Sequence, residues 1–344
     1  MDAPSQAGKA DDHPMRSEDV AEPAEPPTDN ADVEPGRPGA GPAYFLAAFA
    51  REHELVWLSV DGEFGVVSWP TDRGRYEHGR LLQLDRAGQA YYLTTRAFYR
   101  LDGDALVDTS MLEWGSTDAV EEIAFAEDGS LWTVGRDGAR HLAQDTWTSY
   151  AAPARRTPGR PDMVVAANGA WVLGFGGLFH VAADPSAKLE KVDTSKILQR
   201  SRDRLIGLII TPAGVPYTAV SLDTLSYPES AVFVRLDGPD DLVPMPISAD
   251  DFTGAATTIA ASLTGSLLLA DIRCEVIRFD PDRPDRPWRR SRDQPWGCDF
   301  IHSIHADASD RVWVSSHAGL NVEGPADESK FYPIGSIPEL IGGV

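Results

Sequence analysis

The chain has 344 residues, 42% of them hydrophobic, and its 31 basic against 53 acidic side chains give a net charge of −22. That apolar content excludes a wholly disordered chain, and the charge excludes non-specific binding to nucleic acid or anionic membrane, which needs clustered positive charge. Two cysteines exclude a disulfide scaffold or a multi-cysteine zinc module, and no apolar run approaches the ~18 residues of a membrane-spanning helix.

Residues 1–43 contain no aromatic residue and carry eight prolines, with ten acidic residues against Lys9, Arg16 and Arg37. Such a segment cannot bury enough apolar surface to offset its ordering entropy, so a disordered acidic tail is expected there. It lacks the basic start and apolar stretch of a secretory signal. A cytoplasmic location is expected on that ground, with an extracytoplasmic one as the alternative if a leader was removed.

From residue 44 onward one pattern recurs: an apolar stretch, a polar turn, an aromatic-rich stretch, a short loop, then two more strand-like stretches. The clearest copy runs Val120-Glu-Glu-Ile-Ala-Phe-Ala126, Glu127-Asp-Gly-Ser130, Leu131-Trp-Thr-Val134, Gly138-Ala-Arg-His-Leu142 and Thr146-Trp-Thr-Ser-Tyr150. Aligned on the second stretch, the anchors are Trp57, Tyr92, Trp132, Trp171, Tyr217, Leu268 and Trp313, spaced 35 to 51 residues apart. The stretches are short and rich in Val, Ile, Thr and aromatics. Turn residues such as Asp128-Gly129, Asn168-Gly169 and Ser309-Asp310 separate them, which are strand and hairpin signals. A four-stranded unit of this size cannot cover both its faces alone, whereas radial packing lets each sheet cover its neighbour. The expectation is an all-β chain forming a seven-bladed β-propeller of four-stranded antiparallel blades, over about 44–77, 80–110, 120–150, 161–195, 205–246, 256–290 and 300–333. Trp132, Trp171 and Trp313 are expected to be buried between blades.

Glu127-Asp-Gly-Ser-Leu-Trp-Thr-Val-Gly135 and Asp310-Arg-Val-Trp-Val-Ser315 resemble the repeats of two-component-regulator, ligand-binding sensor propellers. The fifth and sixth copies depart from that pattern, with Pro216 and Leu267-Leu-Leu269 where the aromatic belongs. The resemblance implies the fold and a sensing role toward small ligands or carbohydrates. The Trp-containing repeats are also distantly similar to those of streptogramin lyases and lactonase-type propellers, which implies an alternative in which the chain is an enzyme.

With strands A to D counted from the hub outward, B–C loops and the connections between blades fall at one end, here the upper end. A–B and C–D turns fall at the other. The C–D turns are acidic: Asp102 and Asp104, Asp145, Asp184, Asp237 with Asp240 and Asp241, Asp280 with Asp282 and Asp285, Glu323 with Asp327 and Glu328. The upper-end loops hold arginines, among them Arg96, Arg136, Arg155, Arg156, Arg200, Arg202 and Arg273. Arginine's planar fork suits carboxylate and phosphate. The sharp reading is an upper face that binds an acidic protein segment or an anionic small ligand, the chain's own tail included. The plain one is a solvated rim balanced by Asp61, Glu63, Asp137, Asp203 and Asp293. Tyr227 lies in an enlarged B–C loop of the fifth blade, which reads as a plain surface insertion or, alternatively, as a lid over the channel mouth, and His317 is a candidate channel-lining residue. His302 and His305 alternate across a strand and do not converge with His317, so no metal site is expected. Cys274 and Cys298 fall near the upper end, where a bridge is geometrically conceivable.

No nucleophile elbow or zinc-protease motif is present in the sequence, and Gly174-Phe-Gly-Gly177 precedes no helix that could bind a nucleotide phosphate. The expected role is a non-enzymatic recognition or sensor module, a monomer without cofactor, nucleic acid or membrane insertion. One alternative is a lyase- or lactonase-type propeller enzyme with His305, His317 or Glu275 nearest the channel, and another a structural subunit of a larger assembly.

Overall fold

The computed structural model describes residues 48–51, 54–58, 64–68, 79–85, 89–94, 97–102, 105–109, 120–153, 161–184, 186–199, 203–221, 231–246, 256–262, 264–271, 275–283, 288–289, 301–306, 311–316, 319–323 and 329–333. All the elements among them are strands. The tail expected over residues 1–43 lies outside the described residues.

The first unit is a three-stranded antiparallel sheet of β1 (Ala48–Arg51), β2 (Glu54–Leu58) and β3 (Phe64–Ser68). Six four-stranded antiparallel sheets follow, each in sequence order. The second unit holds β4 (Gly79–Leu84), β5 (Ala90–Thr94), β6 (Phe98–Asp102) and β7 (Ala105–Asp108). The third holds β8 (Val120–Phe125), β9 (Leu131–Gly135), β10 (Gly138–Ala143) and β11 (Thr146–Ala151). In the fourth are β12 (Asp162–Ala166), β13 (Gly169–Gly174), β14 (Gly177–Val181) and β15 (Glu190–Lys191). The fifth has β16 (Arg204–Ile210), β17 (Pro216–Ser221), β18 (Val232–Gly238) and β19 (Asp241–Pro246). The sixth has β20 (Ala256–Ala261), β21 (Leu267–Asp271), β22 (Val276–Phe279) and β23 (Trp288–Arg289). The last has β24 (Ile301–Ala306), β25 (Val312–Ser316), β26 (Gly319–Glu323) and β27 (Ser329–Pro333).

Successive sheets meet through their first strands, β1 with β4, then β8, β12, β16, β20 and β24. The first strand of each sheet is therefore innermost, and the architecture is a β-propeller. It has six four-stranded blades rather than the seven expected, because the first unit shows three strands among the described residues.

The seams between blades are the core. Trp132, Trp171 and Trp313 are 0%, 0% and 2% exposed, as expected of blade anchors. Trp132 packs with Met163, Val165, Val172 and Phe179 of the following blade. Trp171 packs with Leu208, Val220 and Val234 of the next, and Tyr217 with Leu267, Leu269 and Phe279. Each of these three anchors thus faces the blade that follows it. The second blade corrects the sequence register by one residue. There Tyr91, not Tyr92, lies with Leu93 and Phe98 against Val120, Ile123 and Leu131 of the next blade. Its ring sits 5.3 Å from that of Phe98 and 4.6 Å from that of Phe125. Side chains alternate along a strand, so a slip of one residue moves the anchor to the opposite face.

Opposite the anchors of the second to sixth blades, the third strand carries a cation or a histidine, whereas Trp313 of the last blade faces Val322. Tyr91 faces Arg100, Tyr217 faces Arg235 and Leu268 faces Arg278. The two tryptophans of the third and fourth blades face histidines instead, His141 and His180. In the arginine blades an Asp follows two residues later, Asp102, Asp237 or Asp280. Arg100 lies 3.3 Å from Asp102, and Arg235 meets Asp237 at 2.7 Å with two further hydrogen bonds from Nε.

Candidate functional site

The two ends of the propeller are built differently. At the lower end, the A–B turns of the second, fifth and sixth blades repeat one design, which recurs at the upper end in the turn from Asp271 to Glu275. Asp85, Thr211 and Ser262 each donate their backbone N–H to the carbonyl four residues on, at 2.8–3.0 Å. Their side chains accept the N–H of Gln89, Val215 and Ser266 in return. In the third blade Asp128 caps Ser130 at 2.9 Å, and these hydrogen bonds hold its carboxyl below the usual carboxylate range. Gly129, Gly214 and Gly265 sit at φ +80°, +78° and +89° in these turns, the left-handed region that glycine enters at no steric cost. The C–D turns add exposed carboxylates. Asp145, Asp240 and Asp241 are open to solvent, while Asp184 and Asp280 turn back to cap Ser186 and Asp282. Glu323 departs from its expected place in an acidic turn. It ends β26 at 3% exposure and accepts a 2.9 Å hydrogen bond from the Asn321 amide.

At the upper end the innermost ladder breaks in five of the six four-stranded blades. Register shifts fall between Gly79 and Leu81, Val120 and Glu122, Leu205 and Leu208, Ala256 and Thr258, and Ile301 and Ser303. A bulge leaves its extra residue outside the ladder and is enriched at barrel rims and beside sites. The extra positions here are Arg80, Glu121, Ile206 with Gly207, Thr257 and His302. They occupy equivalent places around the hub. The fourth blade keeps a regular ladder but begins β12 with Asp162. Its carboxylate accepts Met163 N–H at 2.8 Å and, across the seam, Leu208 N–H at 2.6 Å. Gly207 leaves room for that reach, since a Cβ there would stand 3.2 Å from Asp162 Oδ2. Asp162 is thus a staple between two innermost strands at the bulge.

The B–C turns of the third and fourth blades also lie at this end. In the first of them, the Arg136 guanidinium is 3.4 Å from the carboxylate of the bulged Glu121. The arginine is 78% exposed and the carboxylate 17%, so the pair holds a sheltered acid under a solvated cation. In the other, Phe175 adopts φ +51°, which is sterically costly for a bulky residue, and its ring packs edge-on against Phe179 at 5.9 Å. Backbone strain of this kind persists only where surrounding structure enforces it. Further round, Asp271 ends β21 fully buried and accepts the Glu275 N–H at 2.8 Å, and Ser316 Oγ donates to Gly319 O.

Of the candidate binding residues of the upper face, Arg136 falls among the described residues, and it is ion-paired with Glu121. Arg96, Arg155, Arg156, Arg200, Arg202, Tyr227, Arg273 and His317 lie outside them, as do Cys274 and Cys298. His305 is exposed on β24, and no group of three or more His, Cys, Asp or Glu able to hold a metal ion occurs among the described residues. Sequence reasoning missed Glu121, Asp162 and Phe175. The Phe-Gly pair of a tight turn was the one signal available for the last; nothing in the sequence marks the partner of Arg136.

No family model matches the chain, and no curated protein matches it by sequence. Solved structures do. The chain is similar to virginiamycin B lyase from Staphylococcus aureus at 13% identity and TM-score 0.54, over 74% of this chain and 84% of that one. It is similar to apo AztD from Citrobacter koseri at 12% identity and TM-score 0.52, over 83% and 92%. The WD40 propeller domain of Doa1 matches at 12% identity and TM-score 0.51, over 80% and 88%. At such identities the likeness is one of fold.

Proposed function

We propose that the chain is a recognition module whose upper end binds an acidic protein segment or an anionic small ligand. The observation that carries this reading is the asymmetry between ends. The A–B turns of the second, fifth and sixth blades share one self-satisfied hydrogen-bonded design, and the innermost ladders are interrupted at the upper end in five blades, which is also the end of the connections between blades. Bulges and loops on a rigid scaffold are where binding residues concentrate. The sequence supplies the charge, with Arg155, Arg156, Arg200 and Arg202 in two of those connections and Arg96 and Arg273 in B–C loops. Guanidinium groups so placed match carboxylates, and the acidic lower hairpins disfavour the same partner at the opposite end.

A fluorescent peptide with the sequence of residues 17–34, seven of them acidic, is a suitable probe. Anisotropy should report binding to the full chain that weakens as salt rises through the screening range. Changing Arg155, Arg156, Arg200 and Arg202 together to Ser should abolish it. Binding that survives those changes, or that ignores salt, refutes the reading.

A further inference from the structure

The third and fourth blades share a Trp–His pair across their second and third strands, yet the two histidines are held differently. In the third blade the rings of Trp132 and His141 stack at 4.2 Å and 15°. His141 Nε2 then meets Ser130 Oγ at 2.9 Å, two residues before the tryptophan. In the fourth blade the rings of Trp171 and His180 lie 4.7 Å apart and tilted by 55°. The residue two before this tryptophan is Gly169, at φ +129°, where an added Cβ would collide with the Val181 carbonyl oxygen. No hydroxyl can be supplied from that position.

Trp171 Nε1 and His180 Nε2 are both buried without a protein partner, in residues 0% and 8% exposed. A hydrogen bond to the backbone of Asn168 favours the charged form of His180, so the other ring nitrogen, Nδ1, is the donor there. Burial nonetheless holds the imidazole below its ordinary value. The neutral ring therefore has its proton on Nδ1 and an accepting lone pair on Nε2. Trp171 offers the complement, an indole N–H donor. Around them stand Val164, Leu208, Val220 and Val234, none of which can hydrogen-bond through its side chain. An unsatisfied buried polar group costs free energy, and a donor beside an acceptor is satisfied most simply by a molecule that is both.

We propose that the seam between the fourth and fifth blades contains a site for one water molecule, which accepts from Trp171 Nε1–H and donates to His180 Nε2, in the role that Ser130 fills one blade earlier. The test is a high-resolution crystal structure of the full chain and of Trp171→Phe, with nitrogen-detected NMR of the His180 ring. The expected result is a solvent peak within about 3.2 Å of both nitrogens, the Nδ1–H tautomer, and loss of the peak in the variant. If Trp171→Phe does not fold, His180→Phe serves the same purpose. A dry seam, a direct contact between the two nitrogens, the Nε2–H tautomer, or a peak that persists unchanged in the variant would each overturn the proposal.

Discussion

The lower and upper ends of this propeller carry the same number of chain reversals per blade, but the innermost ladders are irregular at the upper end alone among the described residues. Below, Asp85, Thr211 and Ser262 close turns in which backbone and side chain satisfy each other, so little is left over for a partner. Above, bulges displace Glu121 and Thr257 from their ladders, Asp162 has to staple neighbouring strands, and Phe175 is held at positive φ. The difference teaches where a repeat fold keeps its individuality. Seams must be alike for the blades to stack, whereas the ends of the innermost strands are free to differ.

The comparison can be broken by perturbations of decreasing size. Trp132→Ala removes a fully buried anchor from the seam that both ends depend on, and should cost roughly 3–5 kcal/mol in denaturant titrations. A cost under about 1 kcal/mol would mean that the seam does not unite the ends. Asp162→Ala should cost about 2–3 kcal/mol, since it orphans the Leu208 amide and removes charge-assisted hydrogen bonds. Its effect on amide exchange should concentrate at β12 and β16, leaving the lower turns protected. Gly129→Ala, in open space but at φ +80°, should cost about 1 kcal/mol and leave peptide binding unchanged. Arg136→Ser should change stability by no more than about 1 kcal/mol, because the pair is solvated on its cationic side, yet weaken peptide binding. If it instead destabilises the fold and spares binding, the upper-end pair is structural.

Acid sharpens the same contrast. Burial lowers the His180 imidazole below its ordinary value of 6.5. The unfolded chain then takes up the proton more readily than the folded one, so stability is full above about 6.5 and falls as the pH drops below it. Asp128 has the same sign in a lower window, its contribution lost as pH falls below 3.8. Denaturation midpoints at pH 7.5 and 5.5 should differ in the parent chain and differ less in His180→Phe. An equal dependence in both would remove His180 as a source.

The repeat was legible because its signals are local. Trp132, Trp171 and Trp313 recur at blade spacing, and glycine marks the left-handed turn positions. The second blade misled because Tyr91 and Tyr92 are adjacent, and only packing against Phe98 and Phe125 tells which one faces the seam. Bulges were invisible, since one extra residue in a short polar stretch leaves no trace in composition. Seven copies were counted from spacing alone, whereas the first unit shows three strands among the described residues. The Arg-Leu-Asp repeats at Arg100 and Arg235, with Arg-Phe-Asp at Arg278, were readable in the sequence but gained meaning once the register set each arginine opposite an anchor. Most of the candidate arginines lie outside the described residues.

Hydrogen exchange of the full chain with and without the residue 17–34 peptide tests the central claim most directly. Added protection should appear at upper-end segments, around Glu121–Ile123, Arg136–Gly138 and 192–199. The lower turns at 127–130, 211–215 and 262–266 should exchange as before. Protection centred on those lower turns, or none at low salt with saturating peptide, would contradict the assignment of recognition to the upper end.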